Sequence, residues 1–169
     1  MTRVSTTPES RDLVDRIQDE WIGAYPELDF SPVGILGRIQ RITTVAGQRL
    51  DRSLEAHGIG RSEFDVLGAL ARSDRPLRAS EVVSTTMLSG ASITKITENL
   101  AARGLLERDR SARDRRVVLL SLTDAGRAVV DAELPRRLSA DDAILAALDG
   151  DERRALTDLL RKVVARLDG

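Results

Sequence analysis

The sequence contains no cysteine, a single histidine and very few aromatic residues. Without cysteine, the chain forms no disulfide framework, no thiol redox switch and no thiolate metal site. One histidine cannot supply a multi-histidine zinc site within one chain. Because aromatic residues make up only 2% of the sequence, aliphatic side chains must form the core, which suits closely packed helices.

Long apolar runs are also missing, as are lipidation signals and an apolar leader. A transmembrane helix needs about 20 consecutive apolar residues, and a secretory signal needs an apolar core near the N-terminus. We therefore expect a cytoplasmic protein without a membrane partner. The formal net charge is −1, so the total charge does not indicate a nucleic-acid binder. Such a function would depend on how the charge is distributed.

Motifs of enzymes, metal sites and cofactor sites are absent as well. The acidic pairs Asp19–Glu20, Asp141–Asp142 and Asp151–Glu152 have no histidine or cysteine beside them, which is typical of surface charge. The glycines occur singly and form no phosphate-binding loop. His57 precedes Gly58 at the end of a predicted helix, where we expect it to interact with the last carbonyls. The sequence predicts no enzyme, no metal and no cofactor.

Apolar residues three and four positions apart predict helices at both ends of the chain. Residues 1–9 are small and polar, and we expect them to be flexible. Two N-terminal helices follow, one from Ser10 to Pro26 and one from about Pro32 to His57. Ser31 is the predicted N-cap of the second helix, and Gly58 ends it.

The middle of the chain predicts a winged helix-turn-helix within a mainly α fold. The predicted order is helix 62–72, strand 77–78, helix 80–87, turn 88–90, helix 91–103, strand 105–109 and strand 116–122. Phe64, Leu67 and Leu70 should face inward from the first of these helices, and Ile93, Ile96 and Leu100 from the last. A helix of this size fits a DNA major groove, and the basic hairpin beside it reaches a minor groove.

The C-terminal part of the chain is again helical. Thr123 is the predicted N-cap of a helix in which Pro135 should cause a kink or a break. Gly150 should stop that helix, and a last helix is expected over 151–167. Long helices with spare apolar stripes at both termini indicate a two-fold dimer, and the DNA sites of such proteins are usually two-fold related.

These elements divide the chain into four predicted parts. Residues 1–9 form the N-terminal extension, and 10–57 form dimerisation helices that contribute to a possible ligand pocket. Residues 58–122 form the DNA-binding domain, and 123–169 form C-terminal dimerisation helices.

The outward face of helix 91–103 carries residue types that suit DNA. Ser92, Thr94 and Thr97 are small hydroxyls, and Lys95 and Asn99 can meet phosphates and base edges. With Ser89 and Glu98 these residues form the predicted recognition face, although an ordinary solvated helix face would carry similar residues. The residue types alone therefore leave both interpretations open.

The loop between the two strands strengthens the DNA interpretation. The stretch RDRSARDRR from Arg108 to Arg116 holds five arginines against two aspartates, and arginine suits a narrow minor groove. Asp114 could pair with a neighbouring arginine and fix its direction. The predicted DNA contacts here are Arg110, Arg113, Asp114, Arg115 and Arg116.

This part of the chain resembles a known family of regulators. Asp114-Arg115-Arg116, followed after five residues by Leu122-Thr123 and then by Gly126, is similar to the wing signature of the MarR family of winged helix-turn-helix regulators. LAARGLLER at 100–108 is similar to the link that precedes that wing. The resemblance implies a homodimer on a palindromic double-stranded operator, with recognition helices in successive major grooves. It also implies a minor-groove role for Arg116, an orienting role for Asp114, and repression that a small ligand relieves.

A narrower resemblance concerns the effector. Trp21, the PELDFSP loop at 26–32 and EFDVL at 63–67 are similar to the branch that answers urate or related small anions, and this implies a pocket with Trp21 and Asp65 for an anionic or phenolic ligand. The chain departs from that branch where Ile96 occupies an arginine position. Trp21 anchoring a helix at the dimer interface and Asp65 pairing with a nearby arginine are the alternatives.

The sequence thus predicts a dimeric, sequence-specific DNA-binding transcriptional regulator, a repressor relieved by a small molecule. The alternative is a winged-helix protein-interaction module that does not bind DNA, which the neutral total charge leaves open.

Overall fold

The computed structural model describes residues 11–86, 88–110 and 117–167. The chain forms two compact units, one ending at Val45 and the other beginning at Ala46. The helices are α1 (Leu13–Ala24), α2 (Ser31–Leu54), α3 (Arg61–Ala71), α4 (Ala79–Thr85), α5 (Gly90–Ala102), α6 (Asp124–Ile144) and α7 (Gly150–Val164), and Glu55–His57 forms a 3₁₀ turn. The strands are β1 (Leu77–Arg78), β2 (Leu106–Arg110) and β3 (Val118–Leu122). Over the described ranges, no helix combines the length and apolarity needed to cross a membrane.

The first unit is organised around the start of α1, which lies three residues later than the predicted Ser10. Asp12 is the N-cap, because its carboxylate accepts hydrogen bonds from the backbone N–H groups of Val14 at 2.7 Å and Asp15 at 3.0 Å. The Asp15 carboxylate returns a bond to the Asp12 N–H at 2.9 Å, which completes a capping box. Arg38 of α2 contacts both carboxylates, at 3.0 and 2.6 Å. Its guanidinium, through a hydrogen bond, holds the pKa of the Asp15 carboxyl below its usual range.

The start of α2 also differs from the sequence prediction. Ser31 is the first helical residue and not the N-cap. Its backbone N–H and its hydroxyl both donate to the Asp29 carboxylate at 2.9 Å. An aspartate two residues earlier offers a stronger acceptor than the serine hydroxyl, so Asp29 takes the role that was predicted for Ser31.

The second unit has a single aliphatic core beneath a three-stranded antiparallel sheet. The strand order is β1-β3-β2, with Leu77 opposite Leu120 and Leu106 opposite Leu122. The sheet rests on α3, α4 and α5, and the core residues are Leu54, Ile59, Phe64, Val66, Leu67, Ala69, Leu70, Leu77, Val82, Ile93, Leu100, Leu105, Leu106, Leu120, Val129 and Val130. The predicted inward residues of α3 are all buried, while Ile96 of α5 is only half-buried. This core confirms the predicted mainly α fold with a small β wing.

The second long helix, predicted to run to His57, ends at Leu54, and the predicted terminator Gly58 is instead the C-cap of the 3₁₀ turn that follows. Gly58 has a φ of 61°, a conformation that favours glycine because it has no Cβ. His57, which precedes it, does not bond to the last carbonyls of the helix. Its ring Nε2 lies 3.0 Å from the Glu133 carboxylate, because that fully buried acid on α6 is a stronger partner.

The C-terminal helices correct two further predictions. α6 continues without a break through Pro135, where the neighbouring side chains are exposed and the carbonyl freed by the missing N–H can meet water. Gly150 does not stop a helix but begins α7, because the Asp149 carboxylate caps the N–H groups of Asp151 and Glu152 at 2.8 and 2.9 Å. An aspartate N-cap therefore outweighs the glycine stop signal.

Gly126 lies in the first turn of α6, which packs there against Leu105, between α5 and β2, and against Leu122 at the end of β3. A Cβ at this position would overlap the Leu105 carbonyl oxygen and would lie 2.8 Å from a Leu122 methyl. Thr123 caps the same helix as predicted, with its hydroxyl accepting from the Gly126 N–H at 3.0 Å and donating to the Gly104 carbonyl at 2.8 Å. The threonine and the glycine thus bring α6 into close contact with the segment between α5 and β2.

Candidate nucleic-acid interface

Helix α5 is fixed to the core by one face. Ile93 and Leu100 are fully buried, and Thr97 between them is 2% exposed. The Thr97 hydroxyl donates to the Thr94 carbonyl at 3.0 Å, so its predicted place on the outward face is wrong. A threonine carries a methyl group, and here that methyl group continues the aliphatic stripe.

The first half of α5 presents three exposed residues that have no long-range partner among the described residues. Ser89 is the N-cap, and its hydroxyl accepts from the Ser92 N–H at 3.2 Å and lies 2.9 Å from the Ser92 hydroxyl. Thr94 donates only to the Gly90 carbonyl, one turn back, at 3.2 Å. Lys95 has no ion pair or hydrogen bond to any residue that the structure describes. Ser92, Thr94 and Lys95 therefore keep their outward side chains available, next to the positive end of the helix dipole.

The last turns of α5 are engaged within the protein. Glu98 lies 3.2 Å from Arg108 on β2, and the Asn99 amide donates to the Glu63 carboxylate on α3 at 2.7 Å. The outward face of α5 thus has an uncommitted first half and a partnered second half.

Helix α4, which precedes the recognition helix, is held at its N-terminus by a single acid. The Glu81 carboxylate accepts from the Arg78 N–H at 2.7 Å and from the Arg75 guanidinium at 3.2 Å. The Arg75 hydrogen bond and then the Arg78 N–H lower the pKa of Glu81 to about 2. The short helix therefore keeps its cap charged at every physiological pH.

The β2–β3 hairpin leads to the arginine-rich loop. Arg110 is exposed and lies opposite Val118 at the last described pair of the ladder. The predicted DNA contacts Arg113, Asp114, Arg115 and Arg116 lie outside the described residues.

Asp65 lines a cleft between α3 and α6. The cleft has a volume of about 220 Å³ and an apolar floor that includes Phe64, Val130 and Leu134. Its charged residues are three arginines and two aspartates, namely Arg72, Arg127, Arg137, Asp65 and Asp131. Arg137 lies 3.8 Å from Asp65 and 3.7 Å from Asp141. Asp65 thus has the arginine neighbour that the alternative interpretation expected.

Trp21 belongs to an exposed aromatic cluster in the first unit. Its ring stacks on Phe30 with centroids 6.0 Å apart and lies 5.7 Å from the Tyr25 ring. Trp21 remains 46% exposed, so nearly half of its surface is left uncovered by the described residues.

Known proteins match the helix-turn-helix and its hairpin, and also much of the remaining chain. The sequence profile of the MarR family matches residues 57–117, from the 3₁₀ turn into the hairpin. The transcriptional repressor MprA of Escherichia coli K12 is 30% identical over 119 residues, which cover 70% of this chain and 68% of MprA. The chain belongs to the MarR family. Members of this family are transcriptional regulators and not enzymes.

Other relatives match longer parts of this chain. The HTH-type transcriptional regulator PecS of Dickeya dadantii is 28% identical over 156 residues, 91% of this chain and 94% of PecS. Bordetella bronchiseptica BpsR, in a structure concerned with regulation of its DNA binding by 6-hydroxynicotinic acid, has a TM-score of 0.68 and 27% identity over 78% of this chain and 98% of that one. The Staphylococcus aureus MepR–DNA complex has a TM-score of 0.72 over 83% of this chain and 99% of that one, and at 20% identity it shows the fold alone.

Two residues near the C-terminal end of α5, Glu63 and Arg103, are not revealed by the sequence patterns. Glu63 precedes its partner Asn99 by 36 residues, and Arg103 is the C-cap residue of α5, four positions after Asn99. No local spacing links Glu63 to α5, and the signal available in sequence was only its place three residues after the N-cap Gly60, whose N–H donates to its carboxylate at 2.8 Å.

Proposed function

We propose that this protein is a dimeric, sequence-specific DNA-binding regulator that represses transcription from a palindromic operator until a small anionic or phenolic ligand binds. The observation that carries the proposal is the geometry of α5. One face is buried in the core, and the first half of the other face offers two small hydroxyls and a lysine that is unpaired among the described residues, next to a hairpin whose loop is rich in arginine.

The two parts of the interface have different tasks in this proposal. Ser92 and Thr94 approach base edges in the major groove, where short hydroxyls permit close contact. Lys95 neutralises a phosphate. Arg110 and the loop arginines, with Arg116 directed by Asp114 as the family resemblance implies, enter the minor groove, where the potential is most negative. Phosphate contacts supply affinity, and base contacts supply sequence choice.

The apolar surface of α7 supports the dimer. No residue of this helix is buried within the chain. Its apolar positions recur three and four residues apart and share one side, and they are Leu156, Leu159, Leu160, Val163 and Val164. A stripe of this kind is stable in water when a second copy covers it. A two-fold dimer would place two α5 helices on successive major grooves.

The Asp65 cleft supports the ligand response. Arginines above an apolar floor suit a small aromatic anion, since the ring meets Phe64 and Leu134 while the charge meets a guanidinium. We retain Trp21 in the exposed aromatic cluster as a second predicted ligand contact. That the DNA binding of the relative BpsR is regulated by 6-hydroxynicotinic acid supports this class of ligand for the present protein.

Selection from random duplexes with purified protein tests the DNA function. A palindrome should be recovered, and fluorescence anisotropy should show affinity for it that falls steeply with salt. Recovery of no sequence, together with no binding to random duplex at low salt, would favour the protein-interaction module.

Replacing Lys95 by alanine tests the role of α5. The variant should bind the selected palindrome more weakly, and the slope of log affinity against log salt should fall by about one because one phosphate contact is lost. Anisotropy titrations at several salt concentrations measure both. Lys162→Ala on α7 removes the same charge elsewhere and should leave the slope unchanged. Equal slopes for the two variants would place Lys95 outside the DNA contact.

A further inference from the structure

Asn99 is held by a partner distant in sequence. Its side-chain Nδ2 donates to Oε1 of Glu63 at 2.7 Å, and the other carboxylate oxygen of Glu63 accepts from the Gly60 N–H at 2.8 Å. The Glu63 side chain is 15% exposed. A largely covered carboxylate with both oxygens engaged holds its donors firmly, because charge-assisted hydrogen bonds are the strong ones.

Arg103 ties the same end of α5 to the preceding turn. Its guanidinium donates to the His57 carbonyl at 2.7 Å and to the Gly58 carbonyl at 2.9 Å. These carbonyls lie at the end of the 3₁₀ turn, where no helical N–H group is available to donate to them. The guanidinium also lies 3.9 Å from Oε1 of Glu63. Asn99 near the end of α5 and the C-cap residue Arg103 therefore both hold one short segment, residues 57–63.

The first half of α5 makes no such contacts with the rest of the described protein, and this difference indicates the role of Asn99 and Arg103. The hydroxyls of Ser92 and Thr94 bond only within their own turn, and Lys95 is unpaired among the described residues. Reading an adenine by asparagine needs both the amide N–H and the amide oxygen. For Asn99 to turn to a base, the covered Glu63 carboxylate would have to lose one of its donors.

We propose that Glu63, Asn99 and Arg103 form a clasp that fixes the rotation of α5 on its core. Asn99 is a positioning residue in this clasp and not a base contact. The inference rests on the proposed DNA function. Its consequence is that Glu63, which lies outside the outward face of α5, influences which bases Ser92 and Thr94 meet.

A double-mutant cycle on Asn99→Ala and Glu63→Gln tests the clasp. Glutamine keeps the shape of Glu63 but has one acceptor oxygen for two donors. Each single variant should bind the selected palindrome roughly tenfold more weakly, and the double variant should bind no more weakly than the weaker single variant. Both singles should shift the base preferences obtained by repeated selection in the same way. Glu107→Gln removes a charge from an exposed site on β2 and should change neither quantity.

Direct base readout by Asn99 gives a different pattern. Asn99→Ala would then weaken binding by the same factor in both backgrounds and relax the preference at one base pair per half-site, while Glu63→Gln would leave that preference intact. That outcome overturns the clasp.

Urea unfolding of the same four proteins separates this inference from the function on which it rests. A wild-type protein that selects no DNA overturns the proposed function. Additive shifts in unfolding midpoint would then overturn the clasp by themselves, whereas non-additive shifts would retain the Glu63–Asn99 contact.

Discussion

Glu133 is fully buried on α6, and the protein surrounds it with donors. The Ser53 hydroxyl donates to its carboxylate, Arg136 donates at 2.8 Å, and the His57 ring lies at 3.0 Å. Burial raises the pKa of this carboxyl, but the hydrogen bonds from Ser53 and His57 and the charge of Arg136 outweigh burial, so the pKa lies below its ordinary value of 4.5. The charged form is thus favoured in the folded state.

Replacing Glu133 by glutamine should destabilise the protein by about 1–3 kcal/mol near neutral pH, since an N–H₂ group would face donors in a buried site. The sign of the pH dependence follows from the lowered pKa. The contribution of Glu133 is complete above its unfolded pKa and is lost as the pH falls through its folded pKa. The difference in free energy of unfolding between wild type and variant should therefore shrink as the pH falls from neutral through and below the ordinary glutamate pKa of 4.5.

Urea unfolding across that range measures the effect of Glu133. Glu55→Gln changes an exposed acid at the end of α2 and serves as the control. A difference between wild type and Glu133→Gln that grows on acidification would contradict the assigned charge state.

At the scale of single residues, the sequence predicts faces better than partners. Periodicity places Ile93 and Leu100 inside correctly, because burial repeats with the helix. It places Thr97 outside wrongly, since threonine is half apolar. Glu63 and Glu133 cannot be found this way, because their partners lie 36 and 76 residues away in sequence and only the tertiary fold brings them together.

At the scale of elements, α6 closely approaches the Leu105 backbone at Gly126. Gly126→Ala should destabilise the protein by roughly 1–3 kcal/mol, because the new methyl group meets the Leu105 backbone, which cannot rotate away as a side chain can. Urea midpoints measure the change. Gly23→Ala on α1, where no atom lies within 4 Å of the added carbon, should not destabilise the protein, since alanine favours a helix more than glycine does. Equal losses in both variants would mean that helix propensity and not packing decides the Gly126 effect.

Element order is therefore predictable and element ends are less so. The helix-turn-helix and its hairpin follow from periodicity and turn residues, and each observed end lies within a few residues of the prediction. Ser31 and Gly150 are misplaced because a neighbouring aspartate, Asp29 or Asp149, competes for the same backbone groups. The end of a helix is decided by the strongest available cap, and this depends on geometry that spacing alone does not give.

At the scale of the whole molecule, the apolar stripe of α7 should control assembly. Leu159 is 60% exposed, and Leu159→Glu should weaken the proposed dimer strongly, because a charge would be buried without a partner. Sedimentation velocity should show a smaller species, and affinity for the palindrome should fall with it.

Ala165→Glu is the matched control for Leu159. It adds the same charge at an exposed C-cap position, about 120° away around the helix axis. A dimer that survives Leu159→Glu but not Ala165→Glu would place the interface on the other side of α7.

If α7, which has no buried residue, pairs with a second copy as proposed, the strength of that pairing would set the dose response at the proposed operator. When the protein is scarcer than the dissociation constant of its dimer, operator occupancy rises with the square of its concentration. When it is more abundant, occupancy rises linearly. Substitutions along α7 would move the boundary between these regimes without touching a DNA contact, so the steepness of the genetic switch is adjustable at a surface remote from the site that reads the sequence.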